Sequence, residues 1–402
     1  MPKAPSTRSG YGALLRVPGV GFLLATSLAA RLPVAMVNLA IILRIVRVDG
    51  SYARAGGVTA AFVLGTGVMG PVLGRLADRF GRRPVLLIAS AGNAAGLVLL
   101  ALVPVADFPQ MVAVAAATGC SLPPVAPSVR SLWRQLVDEP MQPSLYAMDA
   151  TLQELTFIAG PSLVAGISTL ASPSFALIFC AFIGLGGSIA VCSHPATARP
   201  MPESAKIRSP RTPVASSGLV ALVAIVFMFL ASIVTVEIGV VAFAGLHHAS
   251  GQAGLLLAVW SGGSLTGGIF FGARIAGAGA RGLAPVMMAS ASGFFLITAA
   301  SGVAVLYGLL FLAGVAIAPG FSCIYGLAGA ITPPSGAVEA FSWIASGIQI
   351  GAATGAALGG VLVQGCGPRW TFVCAGGAAT ATAAVALWQT RHLAAAERVA
   401  RA

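Results

Sequence analysis

The chain has 402 residues, of which 57% are hydrophobic and only 8% are charged. Soluble proteins carry about a quarter charged residues, so this composition excludes a set of ordinary water-soluble domains. The apolar residues come in runs of roughly 20 or more, the length at which a helix crosses a hydrocarbon core about 30 Å thick. The sequence therefore predicts an all-α membrane protein.

Taken in chain order, the apolar runs predict twelve membrane-spanning helices. The first run is too long for the apolar core of a signal peptide and has no small-residue cleavage site after it, so we expect it to be retained. The predicted spans cover residues 20–46, 57–77, 84–105, 109–133, 144–170, 173–193, 218–244, 251–273, 283–302, 303–329, 338–364 and 368–388.

The net charge of +12 would also fit a nucleic-acid-binding protein, but the positions of the basic residues argue against that class. With the N-terminus in the cytoplasm, both lysines and most arginines fall at the cytoplasmic ends of the spans. On the outer side of the membrane fall only Arg44, Arg47, Arg54 and Arg369, and Arg31 lies within a span. This imbalance follows the positive-inside rule. We expect a multi-pass protein of a bacterial plasma (inner) membrane, with both termini in the cytoplasm.

A segment without apolar periodicity separates the sixth and seventh spans. Residues 194–217, HPATARPMPESAKIRSPRTPVASS, are rich in proline, serine and basic residues, which is typical of a linker. The sequence thus predicts an N-terminal six-helix bundle (1–193), a cytoplasmic linker (194–217) and a C-terminal six-helix bundle (218–402).

Three glycine patterns recur in the same order in the two predicted bundles. Gly70-x3-Gly74 recurs as Gly268-x3-Gly272, Gly119-x4-Pro124 as Gly314-x4-Pro319, and Thr156-x3-Gly160 as Gly351-x3-Gly355. The nearly constant shift indicates duplicated, pseudo-symmetric halves, as in transporters whose halves rock about a central site.

The loop between the second and third predicted spans carries a longer motif, GRLADRFGRRPVLL. It resembles the signature loop of the major facilitator superfamily, G-x-L-a-D-r-x-G-r-k-x-x-l, and lies between two spans on the positive side, as that family requires. The resemblance implies the twelve-helix fold of this superfamily and transport by alternating access. The matching residues are Gly74, Leu76, Asp78, Arg79, Gly81, Arg82, Arg83 and Leu86.

In that family, this loop is thought to hold the two halves together on the cytoplasmic side. The resemblance implies that Asp78 meets an arginine at the inner end of the fourth span, where Arg130 lies, and the start of the eleventh span. The alternative for Arg79, Arg82 and Arg83 is that they only anchor the topology.

Two further family signatures match incompletely. In the fifth span, TFIAGPSLVAG keeps Gly160 and Pro161 of a motif associated with antiporters, which favours export; close helix packing and a kink would explain the same two residues. The arginine expected early in the fourth span is replaced by Ala115. Any proton coupling that depends on that arginine must be supplied by another group.

Charged residues deep in a bilayer are costly and are usually paired or functional. Arg31 and Glu154 lie about 16 Å and about 15 Å into the first and fifth spans, which predicts that they pair, either statically or as a proton-responsive switch. Asn38 returns to the face of Arg31. Asp149 is expected either to cap the fifth span or to join Asp78 and Arg130.

Other polar residues in the spans could line the cavity of the C-terminal half. Glu237 stands late in the seventh span without an obvious cation, so it is either a proton-exchanging carboxyl group or one hydrated at the interface. In the eleventh span, Ser342, Ser346 and Gln349 share a face beside Trp343, where they could line a substrate cavity or bond across helices.

Together these features predict a secondary active transporter of a small organic molecule, with proton-coupled efflux by antiport as the first expectation. Proton symport uptake and facilitated diffusion of a metabolite or sugar stay open, as does a non-transporting membrane sensor on the same scaffold. We expect no enzyme activity, cofactor or metal site, because the sequence has no catalytic, nucleotide-binding or metal-ligand motif. The expected partners are the substrate, protons and the lipid bilayer, and the expected state is a monomer.

Overall fold

A computed structural model describes residues 11–198 and 217–401, so most of the predicted linker lies outside the described residues. We number the twelve long helices in chain order. They are α1 (Val20–Asp49), α2 (Tyr52–Phe80), α3 (Arg82–Leu102), α4 (Phe108–Cys120 and Val125–Leu136), α5 (Gln142–Leu170), α6 (Pro173–Ser193), α7 (Ser217–Leu246), α8 (Ala253–Gly267, Gly268–Gly272 and Ala273–Gly277), α9 (Ala280–Ile297), α10 (Val303–Gly314 and Ile317–Ile331), α11 (Ala337–Cys366) and α12 (Pro368–Arg401).

The all-α prediction is confirmed, and the helices agree with the predicted spans. In the described part of the chain, 11 helices are long and apolar enough to cross a membrane. The remaining long helix, α5, has 29 residues and carries Asp149 and Glu154. Short helices at Tyr11–Leu15 and Pro195–Ala198 lie outside the spans.

Local sequence explains where several helices begin, end or break. Gly81 joins α2 to α3 with φ 98°, a backbone angle that favours glycine. The side chains of Ser51 and Ser172 accept hydrogen bonds from backbone N–H groups at the starts of α2 and α6. Two consecutive prolines, Pro123 and Pro124, lack backbone N–H groups and separate the two segments of α4.

The two halves use equivalent helix contacts. In the N-terminal half α1 packs on α6 and α2 packs on α4, while in the C-terminal half α7 packs on α12 and α8 packs on α10. Contacts between the halves run mainly between α2 and α11 and between α5 and both α8 and α10. This arrangement is the predicted pair of pseudo-symmetric six-helix bundles.

The recurring glycines allow several close contacts between helices. A Cβ atom at Gly74 would collide with Ser342 on α11, and one at Gly268 would collide with Thr151 on α5. Within the halves, Gly160 lies against Ala35 and Gly355 lies against Ala231. Gly160 and its counterpart Gly355 therefore make equivalent contacts in the two halves, α5 on α1 and α11 on α7, which explains why this part of the pattern recurs in the sequence.

Hydrogen bonds join the halves near the face at which α2 ends and α3 begins. We call it the arginine-rich face, after Arg75, Arg79, Arg82 and Arg83. The hydrogen bond that lies furthest from this face runs from the Ser346 hydroxyl group to the Gly67 carbonyl oxygen, at 2.8 Å. The halves are therefore held together from the middle of the molecule to the arginine-rich face.

Candidate functional site

A central cavity lies between the halves, with a volume of about 140 Å³. Its wall combines residues of α1, α2, α4, α5 and α11, so both halves contribute to it. Most of the wall is apolar, and the polar side chains are few. Those polar residues are Arg31, Thr66, Arg130, Gln153, Thr156, Ser342, Ser346 and Gln349.

Two arginines and one aspartate form a buried cluster beside this cavity. Asp149 Oδ1 accepts a hydrogen bond from Arg31 Nη1 at 2.7 Å, and Asp149 Oδ2 accepts one from Arg130 Nε at 2.6 Å. The side chains of Arg31, Arg130 and Asp149 are 8%, 2% and 2% exposed. With all three groups ionised, the cluster carries one uncompensated positive charge.

Arg130 also connects this cluster to other parts of the molecule. Its Nη2 donates to Gln153 Oε1 at 2.5 Å, and its guanidinium carbon lies 3.6 Å from the ring centroid of Tyr325 on α10. Because Tyr325 belongs to the other half, this cation–π contact crosses the interface between the halves. Arg130 is thus held by both halves.

The structure corrects two expectations about this region. Arg31 pairs with Asp149 and not with Glu154, because Asp149 and Glu154 point to different faces of α5. Asp149 lies inside α5 and caps no helix end, and it meets Arg130 without Asp78. Sequence reasoning missed Gln153, although it lies four residues after Asp149 on the same helical face.

Several buried donors at the cavity have no hydrogen-bond partner among residues 11–198 and 217–401. They are Nε and Nη2 of Arg31 and the hydroxyl group of Ser342. Both residues line the cavity. Buried polar groups are normally paired, so these atoms indicate a place where a ligand or water can bind.

Glu154 lies at the contact between the halves, and Glu237 of the other half, on α7, is within electrostatic range of it. Glu154 also interacts with the Ser264 side chain of α8. Neither carboxyl group forms an ion pair with any residue in the described ranges 11–198 and 217–401. Neither lines the central cavity itself.

Some of the other predicted cavity residues line the cavity and some do not. Ser342, Ser346 and Gln349 line the cavity, whereas Trp343 and Asn38 do not. Ser346 bonds to Gly67 as well, so it both lines the cavity and joins the halves.

At the arginine-rich face, Asp78 meets the start of α11. Its carboxylate oxygens accept hydrogen bonds from the backbone N–H groups of Val338 at 3.3 Å and Glu339 at 2.8 Å. A carboxylate at a helix N-terminus is stabilised by the free N–H groups and the helix dipole. Arg75 adds an ion pair to Glu339 at 2.7 Å. We call this set of contacts the α2–α11 latch.

Arg130 has no part in that latch, because it is turned towards Asp149. Arg134, one helical turn further along α4, makes the second cross-link. Its Nη1 donates to the carbonyl groups of Gly329 at 2.6 Å and Thr332 at 2.9 Å, at the end of α10. Sequence reasoning missed Arg134 because its partners are backbone carbonyls, which carry no residue-specific signal.

The remaining arginines of the signature loop make contacts within the N-terminal half. Arg82 donates to the Ser131 hydroxyl at 3.1 Å, and Arg79 lies over the ring of Phe80. Arg83 accepts a weak contact from the Cys192 thiol at its carbonyl oxygen. Arg82 thereby ties the signature loop to α4.

Gly160 and Pro161, the residues of the fifth-span motif, lie inside α5. Gly160 allows α5 to approach Ala35 of α1 closely. Within the described ranges, no group of three or more histidine, cysteine or acidic residues is placed to hold a metal ion.

Comparison with protein families gives one match, to a model described as the Major Facilitator Superfamily, over residues 23–273. No curated protein sequence matches the chain. The matched region includes the signature loop, the Arg31–Asp149–Arg130 cluster and both glutamates.

Solved structures share the fold over almost the whole chain. The human organic anion transporter MFSD10 (TETRAN) has a TM-score of 0.73 at 17% identity, covering 91% of this chain and 98% of its own. A bacterial homologue of the iron transporter ferroportin, outward-facing with soaked iron, has a TM-score of 0.72 at 14% sequence identity. The match covers 92% of this chain and 98% of the homologue. The proton:xylose symporter XylE has a TM-score of 0.69 at 14% sequence identity. The match covers 95% of this chain and 96% of XylE.

Proposed function

Because the chain belongs to the major facilitator superfamily, whose members are transporters and not enzymes, we propose that it exports a small organic molecule in exchange for protons. It works by alternating access as a monomer in a plasma membrane. The proteins of similar structure include an anion transporter, an iron transporter homologue and a sugar symporter, so the fold itself leaves the substrate and direction open.

The observation that carries proton coupling is that Glu154 and Glu237, one in each half, lie within electrostatic range of each other. The two carboxyl groups belong to different halves and have no ion-pair partner in the described residues, so either can bind or release a proton without breaking a salt bridge. Asp149 cannot do this, because two guanidinium groups hold it. Arg31 is therefore not the switch for Glu154.

Movement of the halves would change the surroundings of this pair. Glu154 contacts α8 of the opposite half, so rocking of the halves separates it from Ser264 and Glu237. Two nearby carboxylates repel each other, and the repulsion disappears when the halves part. Proton binding is thereby linked to conformation, as antiport requires.

We propose that the arginine-rich face is cytoplasmic. The positive-inside rule places arginine-rich loops there, and the α2–α11 latch would then close the cytoplasmic side while protons reach the glutamates from outside. The partial antiporter motif at Gly160 and Pro161 favours export in the same scheme.

The test begins with a substrate. A deletion strain and an overexpressing strain are screened against toxic compounds, sugars and metabolites, and the purified protein is then reconstituted with the compound that is found. Glu154→Gln and Glu237→Gln should each abolish substrate-induced proton flux and transport against a gradient, while downhill exchange continues. Asp138→Asn, at an exposed acidic residue, is the matched control.

Full proton flux in both glutamine variants would contradict the proposed carriers. Proton flux in the same direction as the substrate would replace antiport by symport. Transport without any proton flux would indicate facilitated diffusion.

A further inference from the structure

We propose that the central cavity binds a small organic monocarboxylate, with Arg31 as the residue that holds its carboxylate group. The inference rests on the proposed transport function and names the substrate class of the same cavity.

The charge of the cavity supports this assignment. Arg31 and Arg130 line it, while Asp149, which lies between them, does not. Among the residues that the structure describes, no acidic residue is present in the wall, since Glu154 and Glu237 lie elsewhere. The cluster has one positive charge in excess, so a monovalent anion would neutralise it. A cation in this cavity would meet two guanidinium groups and no carboxylate.

The free hydrogen-bonding atoms of the cavity are suited to the same ligand. Nε and Nη2 of Arg31 are buried without a partner in the described part of the chain, and an arginine has only donors. A carboxylate supplies two acceptor oxygens in a geometry that matches a guanidinium edge. The unpaired hydroxyl group of Ser342 can donate a further bond to the ligand.

The size and wall of the cavity limit the rest of the ligand. Its volume of about 140 Å³ is close to that of a cavity of about 150 Å³ that binds benzene in another protein. Val34, Phe157 and Ile348 are among the apolar residues that line it. The cavity therefore has room for a carboxylate attached to one aromatic ring or a short alkyl chain.

Binding to the purified protein tests the proposal without any transport. Benzoate and hexanoate are titrated beside their neutral analogues benzamide and hexanamide, and affinity is measured by calorimetry. We expect a carboxylate to bind at least about tenfold more tightly than its amide, because a hydrogen bond to a charged group exceeds a neutral one. Failure of both carboxylates to bind, or equal binding of acid and amide, would overturn the proposal.

Substitutions locate the binding group. Arg31→Gln should weaken carboxylate binding about tenfold or more and weaken amide binding much less. Arg47→Gln, at an exposed arginine near the other end of the same helix, is the control and should change neither. Unchanged benzoate binding by Arg31→Gln would show that Arg31 is not the anchor.

A double variant separates charge from folding. Arg31→Gln leaves the cluster neutral, whereas Arg31→Gln with Asp149→Asn restores one positive charge on Arg130. If charge selects the ligand, the double variant should recover part of the carboxylate preference. Elution from gel filtration shows whether the double variant is folded. A folded double variant that recovers none of the carboxylate preference would contradict charge selection.

The outcomes distinguish this inference from the proposed function. Carboxylate binding without proton flux would support the anion site and sink proton coupling. Proton-coupled transport of neutral or cationic compounds, with no carboxylate binding, would overturn the anion site and leave the transporter assignment intact.

Discussion

At the scale of single residues, the most informative feature is the sharing of one carboxylate between two buried arginines. Asp149 forms ion pairs with Arg31 and Arg130 at once, and the ring of Tyr325 covers Arg130 from the other half. A buried charge without its partner is strongly unfavourable, so the three residues depend on one another. The same cluster that fixes the helices also leaves a net positive charge at the cavity.

Replacing the shared acid should therefore be costly. We expect Asp149→Asn to lower the free energy of unfolding by about 3–5 kcal/mol, because it leaves two buried guanidinium groups unpaired. Thermal unfolding in detergent measures the loss. The exposed Asp138→Asn should leave the melting temperature unchanged, and a similar result for Asp149→Asn would show that the cluster is not a stabilising unit.

At the scale of helices, charged side chains join the halves by binding helix ends. Asp78 meets free N–H groups at the start of α11, and Arg134 meets free carbonyl groups at the end of α10. Each charge has the sign that the helix dipole favours at that end. The glycine at position 74 lets α2 approach α11 closely enough for the first of these contacts.

Weakening one of these contacts should shift the conformational equilibrium. Asp78→Asn keeps one acceptor oxygen but loses the charge, at a cost of about 0.3–2 kcal/mol to the closed state. We expect the arginine-rich face to open more often and transport to fall, with the protein still folded and inserted. Spin-label distances between α2 and α11, and transport in proteoliposomes, provide the measurements.

The control for this variant is Asp107→Asn, which alters a helix cap at the other face of the molecule. It should leave the α2–α11 distance unchanged. Transport by Asp78→Asn at the normal rate would show that the latch is dispensable.

At the level of the whole molecule, the charge distribution predicts the orientation in the membrane. If the arginine-rich face is cytoplasmic, the segment 199–216 and the signature loop lie on the same side of the membrane. The loop between α7 and α8, with His247 and His248, then lies outside.

Cysteine labelling tests this topology. In a chain whose exposed Cys366 is replaced by serine, a cysteine introduced at Ser209 should react with an impermeant reagent only in inside-out vesicles. A cysteine at His248 should react only in intact cells. Labelling of Ser209→Cys from outside intact cells would reverse the proposed orientation.

Sequence alone was enough to predict twelve spans, their order and the family. These follow from run length, from the signature loop and from recurring glycines, all of which are local features of the chain. The sequence also predicted two partners for Asp78, namely Arg130 and the start of α11. In the structure Asp78 contacts the start of α11 and not Arg130.

Which charged residues meet became clear only from the packing of the helices. Sequence placed Arg31 and Glu154 at a similar depth, but depth does not fix how a helix is rotated about its axis. Packing of Gly160 against Ala35 helps to set the rotation of α5 on α1, and α5 then presents Asp149 to Arg31 and turns Glu154 towards α8. Periodicity relates the faces of one helix to each other, whereas the face that meets a neighbour depends on close packing between helices, which no single helix encodes.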